Sequence, residues 1–189
     1  MLPDEMFKNT SARYGVISIA LHWLTALTVI GLFALGFWMI DLSYYHSWYR
    51  TAPHIHKSIG ILLFIAMTLR VVWRWYSPAP HSLATHQLWE KRVSSLAHWL
   101  LYLLIFTIML TGYLISTSDG RAIQVFGWFE VPSLGELFPR QSDIAGDLHK
   151  WLAYSLIALV LLHAVAALKH HFIDKDATLL RMLGRRQKN

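Results

Sequence analysis

Three long stretches of the chain carry no charge at all. Between Arg13 and Asp41 lie 27 uncharged positions, enclosing VISIALHWLTALTVIGLFALGFWMI. Between Arg92 and Asp119 lie 26 more, with AHWLLYLLIFTIMLTGYLIS, and between Lys150 and Lys169 lie 18, WLAYSLIALVLLHAVAAL. About 20 consecutive apolar residues cross the hydrocarbon core of a bilayer. Each stretch therefore predicts a transmembrane helix, over residues 14–40, 93–117 and 148–171. A fourth segment is more broken. Only 12 positions between Lys57 and Arg70 lack charge, with ILLFIAMTL at their centre. A helix over 55–76 would still be about 30 Å long, enough to span. Lys57 would lie at one end and Arg70 and Arg74 near the other, where long basic side chains reach the interface. Trp73, Trp75 and Tyr76 supply an aromatic belt, and Ser77-Pro78-Ala79-Pro80 ends the helix.

Composition narrows the class. The chain has 189 residues, 55% hydrophobic and only 15% charged, with no cysteine, and a mean hydropathy of +0.39. Soluble domains average about 25% charged residues. The absence of cysteine excludes disulfides, a thiol nucleophile, iron–sulfur ligation and thiolate zinc sites. The first apolar run is too long for a signal-peptide core, and no small-residue cleavage site follows it. No repeat or low-complexity tract is present. The expected fold is an all-α membrane protein, a four-transmembrane-helix bundle forming a single domain over 1–189.

The net charge of +6 has a topological explanation. With four spans, both termini share a side. That side would hold 12 of the 17 basic residues, from Lys8 and Arg13 to Arg185, Arg186 and Lys188, while Arg50, Lys57, Arg121, Arg140 and Lys150 lie opposite with six of the 11 acids. The positive-inside rule then places both termini in the cytoplasm. Membrane lipid is the expected partner of the basic flanks, and nucleic acid need not be invoked.

Eleven histidines in so apolar a chain point to function, because polar groups at membrane depth are costly. His46, His81 and His86 fall in expected loops and read as solvated surface residues. His22 lies about two turns into helix 1 and His163 about two turns from the end of helix 4, so antiparallel packing puts them at similar depth. His56 opens helix 2 and His149 opens helix 4, again at matched depth from the other side. His149 and His163 are 14 residues apart, which places both on one helix face about 21 Å apart along the axis. Two layers of facing imidazoles suit two flat macrocycles, each iron held by a neutral ring nitrogen from either side. Gly60, one turn after His56, would admit a porphyrin against the backbone. Because His54 has Ser58 at that offset, His56 is the preferred ligand. Gly15 lies on the face of His22.

At this point the sequence resembles the bacterial cytochrome b561 family, itself similar to the cytochrome b subunits of formate dehydrogenases and nickel–iron hydrogenases. The resemblance rests on RYGVISIALHW with His22, HKSIGILLFIAMTLRVVWRW with His56, AHWLLYLL with His98, and HKWLAYSLIALVLLHAVAALKHHFIDKDATLLRM with His149 and His163. It covers about residues 13–183, the last segment being its most specific part. It implies two haem b groups, with His22 and His163 as axial ligands of the cytoplasmic-side haem and His56 and His149 of the periplasmic-side haem, in a bacterial inner membrane.

Two axial imidazoles fill both open iron positions, so such a haem passes single electrons and does not readily activate oxygen. The resemblance implies quinone as the exchanging partner. Arg13, His98, Lys169, His170 and His171 cluster at the expected cytoplasmic helix ends and are the candidate quinone or propionate contacts. Lys57 and Lys150, each beside an outer ligand, are candidates for the outer propionates. Some family members are thought to oxidise superoxide at the outer face, where the five basic residues would attract a small anion; a protein electron donor is the alternative. Two other readings stand beside a quinone-linked oxidoreductase: a cytochrome b anchor subunit of a larger oxidoreductase, and a histidine-rich transition-metal transporter.

Overall fold

A computed structural model describes residues 6–185 and is mostly helical. Four helices are long and apolar enough to cross a membrane: α1 Val16–Met39, α2 Thr51–Tyr76, α3 Leu88–Thr117 and α4 Gln141–Phe172. A short helix α5, Thr178–Met182, follows α4, and strands β1 Ile123–Val125 and β2 Phe129–Val131 lie between α3 and α4. Arg186 and Lys188 of the basic tail lie outside the described residues.

Two helices begin earlier than the charge-free stretches predict. α3 starts at Leu88 rather than residue 93, and α4 at Gln141 rather than 148. The added turns contain Glu90, Lys91 and Arg92, and Asp143 and Asp147. Freedom from charge marks depth in hydrocarbon, while charged side chains are ordinary on the helical turns outside it. At 32 residues, α4 is about 48 Å long and outruns the roughly 30 Å core. α2 starts at Thr51 with Pro53 in its first turn, where a missing N–H costs no intrahelical bond. It stops where expected, at Tyr76 before Ser77-Pro78.

The surface of the spanning helices is apolar, and several polar side chains share the interior with residues such as Leu63, Met67 and Leu156. Leu27, Leu161, Leu162 and Val165 are more than 60% exposed, while Thr25, Ser58, Thr111, Thr117 and Gln141 are buried. The buried threonine hydroxyls find acceptors within their own helices: Thr25 donates to the Leu21 carbonyl, Thr111 to that of Ile108 and Thr117 to that of Tyr113. This is how a polar group is accommodated where lipid offers no hydrogen bond.

The chain falls into two compact units. Unit 1 comprises the described residues of Met1–Ala26, Ala66–Leu101 and Ala158–Asn189. In it the Asn9 side chain donates to the Ser77 carbonyl and accepts from the Gly15 amide, tying the approach to α1 onto the end of α2. Trp73 Nε1 donates to Ser18 Oγ, and Trp23 Nε1 to the Met182 carbonyl of α5. Gly15 serves this packing rather than a cofactor. A Cβ there would stand 2.2 Å from the Phe7 carbonyl oxygen and 2.6 Å from the Lys8 carbonyl carbon. Backbone cannot swing aside as a side chain can. Gly15→Ala should therefore destabilise the protein by about 1–3 kcal/mol, the usual cost of overpacking. Gly31→Ala, where a Cβ meets nothing within 4 Å, should be near neutral. Thermal unfolding in detergent compares the two, and equal midpoints would contradict the assignment.

Unit 2 comprises Leu27–Ile65 and Tyr102–Ile157. Its short β-hairpin, an addition in the α3–α4 connection of the otherwise helical fold, pairs Ile123 with Val131 and Val125 with Phe129. Phe126 and Gly127 both have positive φ, 47° and 74°, and the Trp128 amide returns to the Val125 carbonyl. That is the turn whose twist suits a hairpin. Ser58, fully buried on α2, clamps the hairpin: its Oγ donates to the Gln124 carbonyl and accepts from the Phe126 amide.

Candidate functional site

In unit 2, α2 presents His56 and α4 presents His149 with ring centroids 6.2 Å apart at an interplanar angle of 67°. The His54 ring instead meets Phe126 of the hairpin. Each imidazole has a glycine from a neighbouring helix at its edge. A Cβ on Gly36 would lie 3.1 Å from His56 Cε1, and one on Gly112 would lie 3.2 Å from His149 Cε1. Larger residues would drive the rings out of place. His149 Nδ1 is 3.0 Å from the Ile108 carbonyl and 3.0 Å from Thr111 Oγ1, which orients its ring through the far nitrogen. His56 Nδ1 is buried without a hydrogen-bond partner. On the backbone beside each ligand, at Gly60 and Gly146, an added Cβ would meet nothing within 4 Å.

In unit 1, α1 presents His22 and α4 presents His163, with centroids 6.3 Å apart at 65°. The His98 ring of α3 stands closer to His163, at 5.1 Å, and its Nδ1 is 2.7 Å from the Ser94 carbonyl. Arg70 Nη2 lies 3.1 Å from His22 Nδ1.

The spacings discriminate among these rings. An imidazole nitrogen lies about 1.1 Å from its ring centroid and about 2 Å from a first-row metal ion it ligates, so two rings on opposite sides of one ion have centroids about 6.2 Å apart. The His56–His149 and His22–His163 pairs have that centroid spacing, while His98–His163 is about 1 Å too close for it. The donor set fits haem of the non-covalent b type: neutral imidazoles, with no cysteine for thioether attachment.

The other expected site residues take different partners. Lys169 Nζ pairs with Glu90 at 3.1 Å and Asp174 at 2.7 Å. His170 Nδ1 lies 2.9 Å from Asp174 Oδ2 and 3.0 Å from Asp176 Oδ2. Arg13 joins a local turn through its backbone, its carbonyl accepting from the Thr10 amide. His171 Nδ1 is buried without a hydrogen-bond partner. His86, expected as a solvated surface residue, has its ring largely buried, with Nε2 3.0 Å from Asp176 and 3.1 Å from Thr178 Oγ1. Burial raises the Asp176 carboxyl, and bonds from Thr178 and His86 with the charge of His170 outweigh it, holding the group below the ordinary range. In the loop before the hairpin, Arg121 bonds Asp119 through both side chain and amide and holds its carboxyl low. Arg140 faces Asp143 at 3.4 Å, and Lys150 lies over the Trp151 ring at 5.9 Å. Two of the five basic residues expected to attract an anion are thus already paired with acids.

Gly36, Gly112 and Arg70 escaped the sequence reading. The glycines lie on other helices than the rings they touch, and nothing in their local sequence signals the contact.

Comparison with known proteins supplies the context. Residues 13–185 match a family described as prokaryotic cytochrome b561. The chain is 54% identical over 179 residues to "Cytochrome b561 homolog 2" of Escherichia coli strain K12, with 95% of each chain covered. It is 30% identical to "Cytochrome b561 homolog 1" of the same organism, covering 93% of this chain and 99% of the other. It is 28% identical to the "Probable superoxide oxidase CybB" of Yersinia pestis, covering 93% of this chain and 98% of that one.

Proposed function

The chain belongs to the prokaryotic cytochrome b561 family of membrane electron-transfer proteins, and on that premise we propose that it is a di-haem b-type cytochrome that exchanges electrons with quinone. The observation that carries this reading is the pair of imidazole spacings, 6.3 Å for His22–His163 and 6.2 Å for His56–His149. When bound, haem would supply reversible one-electron chemistry.

The chain's own residues then do the following. His22 and His163 hold one haem, His56 and His149 the other. Gly36 and Gly112 fix the ring edges of the second pair, and the Ile108 carbonyl and Thr111 orient His149. His98, in contact with His163 yet too close to share an ion with it, is the group placed to hold or pass a proton for a quinone beside that haem. Imidazole suits this role because its ordinary pKa lies near neutrality. Lys169 and His170, engaged by Glu90, Asp174 and Asp176, brace this end of α4. The electron donor we favour is superoxide, by analogy with the name carried by the Yersinia relative; a protein donor is the other outcome of the test.

Purified protein should be reduced by quinol or reoxidised by quinone. His98→Gln should slow that exchange by tenfold or more, within the usual range for a lost proton-transfer group, with the haem content unchanged. Stopped-flow spectroscopy reads both. If neither haem exchanges electrons with quinone, the reading fails. A superoxide pulse that leaves the haems oxidised removes superoxide as donor. We place the protein in a bacterial inner membrane with both termini in the cytoplasm, from the distribution of basic residues. A reporter fused after Asn189 should be active only in its cytoplasmic form, and periplasmic activity would reverse the orientation.

A further inference from the structure

Unit 1 gathers a second set of metal-competent side chains that the electron-transfer reading does not use. His86 comes from the segment before α3, His170 from the last turn of α4, and Asp176 from the segment before α5. One ligand atom from each lies within 4.8 Å of the others. We propose that His86, His170 and Asp176 form a binding site for a divalent transition-metal ion of the zinc class.

The geometry is nearly that of a coordinated ion. His86 Nε2 and His170 Nδ1 each stand 3.0 Å from the same atom, Asp176 Oδ2. Donor atoms around a tetrahedral zinc ion, with bonds of about 2.0–2.1 Å, lie about 3.3 Å apart. Each His–Asp176 separation therefore needs to open by only a few tenths of an ångström, with the two ring nitrogens within 4.8 Å of each other. Their orientation is set from outside the triad. Asp176 Oδ1 accepts the Thr178 amide at 2.8 Å, which leaves Oδ2 turned to the two rings. Lys175, with φ of 53°, and the Asp176 amide bonded to the His170 carbonyl fold the chain back so that the carboxylate meets the end of α4. Such fixing of ligands by outer hydrogen bonds is what holds a metal site in shape. Two imidazoles and one carboxylate select a borderline ion over calcium or magnesium, which favour all-oxygen sites.

The surrounding charges set the limits of the site. Asp174 Oδ2 lies 2.9 Å from His170 Nδ1, but the Lys169 ammonium holds the same oxygen at 2.7 Å. Asp174 is therefore not counted as a ligand; it offsets a neighbouring cation. The side chains of His86, His170 and Asp176 keep 17%, 15% and 6% exposure, so the site is sheltered without being sealed from solvent. An ion there would staple His86 to the turn that ends α4, with Asp176 lying 90 residues further along the chain, and binding to the folded form alone would raise thermal stability.

The test uses untagged, haem-loaded protein dialysed against graded zinc, with zinc and iron per chain measured together by elemental analysis. One saturable zinc per chain is expected, with two imidazoles in its X-ray absorption fine structure and a higher unfolding midpoint. His86→Gln and Asp176→Asn should each weaken zinc binding at least tenfold while iron per chain stays constant. If Asp176→Asn fails to keep its haem, His86→Gln and the absorption spectrum decide. No saturable zinc, zinc bound without imidazole, or zinc undiminished in His86→Gln would each overturn the site and leave the triad as a hydrogen-bonded clamp.

Discussion

His149→Ala is expected to lower the haem content from two per chain to one, and His56→Ala to do the same. His22→Ala and His163→Ala should each remove the other haem. The physical basis is the centroid spacing within each pair, 6.3 Å for His22–His163 and 6.2 Å for His56–His149, which is the separation two imidazoles would have on opposite sides of one ion in the proposed arrangement. Deleting one ring would leave the proposed haem with a single protein ligand. A haem with one protein ligand is held far less tightly, and its spectrum changes from the six-coordinate form. A pyridine haemochrome assay gives the stoichiometry, and redox titration of each variant shows which potential survives. The control is His98→Ala, which should keep both haems because its 5.1 Å approach to His163 does not suit a shared ion. One haem in the wild-type protein, or haem loss in His98→Ala with none in His22→Ala, would break the assignment.

Gly112→Val should reproduce the His149 result without touching a ligand. A Cβ at Gly112 already meets His149 Cε1 at 3.2 Å and Nδ1 at 3.5 Å. Valine adds two methyl groups, and the imidazole cannot retreat without leaving the Ile108 carbonyl and Thr111 hydroxyl that hold it. Gly36→Val should act alike through His56, where the contact is 3.1 Å. Gly112→Ala should be milder, because a shift of a few tenths of an ångström accommodates one methyl group. Haem content of the three variants, with Gly31→Ala beside them as a substitution into open space, gives the ranking. A Gly112→Val protein with full haem content and unaltered potentials would show that the ring edge is not constrained there.

The sequence made some of this legible and hid the rest for definite reasons. Bilayer thickness imposes a length of uncharged chain, so three of the four spans can be read from charge alone; the fourth, interrupted by Lys57 and Arg70, is read from its length, its aromatic belt and the Ser77-Pro78 stop. Antiparallel neighbours convert position along a helix into depth, so histidines at matched depth could be paired, and the structure brings those pairs together. Helix ends were less visible, because Glu90 or Asp143 is compatible with helix once outside hydrocarbon. The hairpin was hidden because its turn places Phe126, not asparagine or aspartate, at the first positive-φ position. His86 was misread because its partner, Asp176, lies 90 residues away. Contacts of that kind depend on tertiary structure, and neither periodicity nor spacing encodes them.

α4 alone contributes to both imidazole pairs, His149 to one and His163 to the other, and this fixes an order of biogenesis. In the proposed arrangement neither haem can be gripped from both sides until the last spanning helix has been synthesised, since His22 and His56 wait for partners made more than 90 residues later. The His149 pair becomes complete first. At about 5–20 residues per second, the fourteen residues to His163 follow within about 1–3 s. Until then the earlier helices must stay in the bilayer without the cofactors that join them, and a chain cut short before residue 149 would hold no haem between paired ligands.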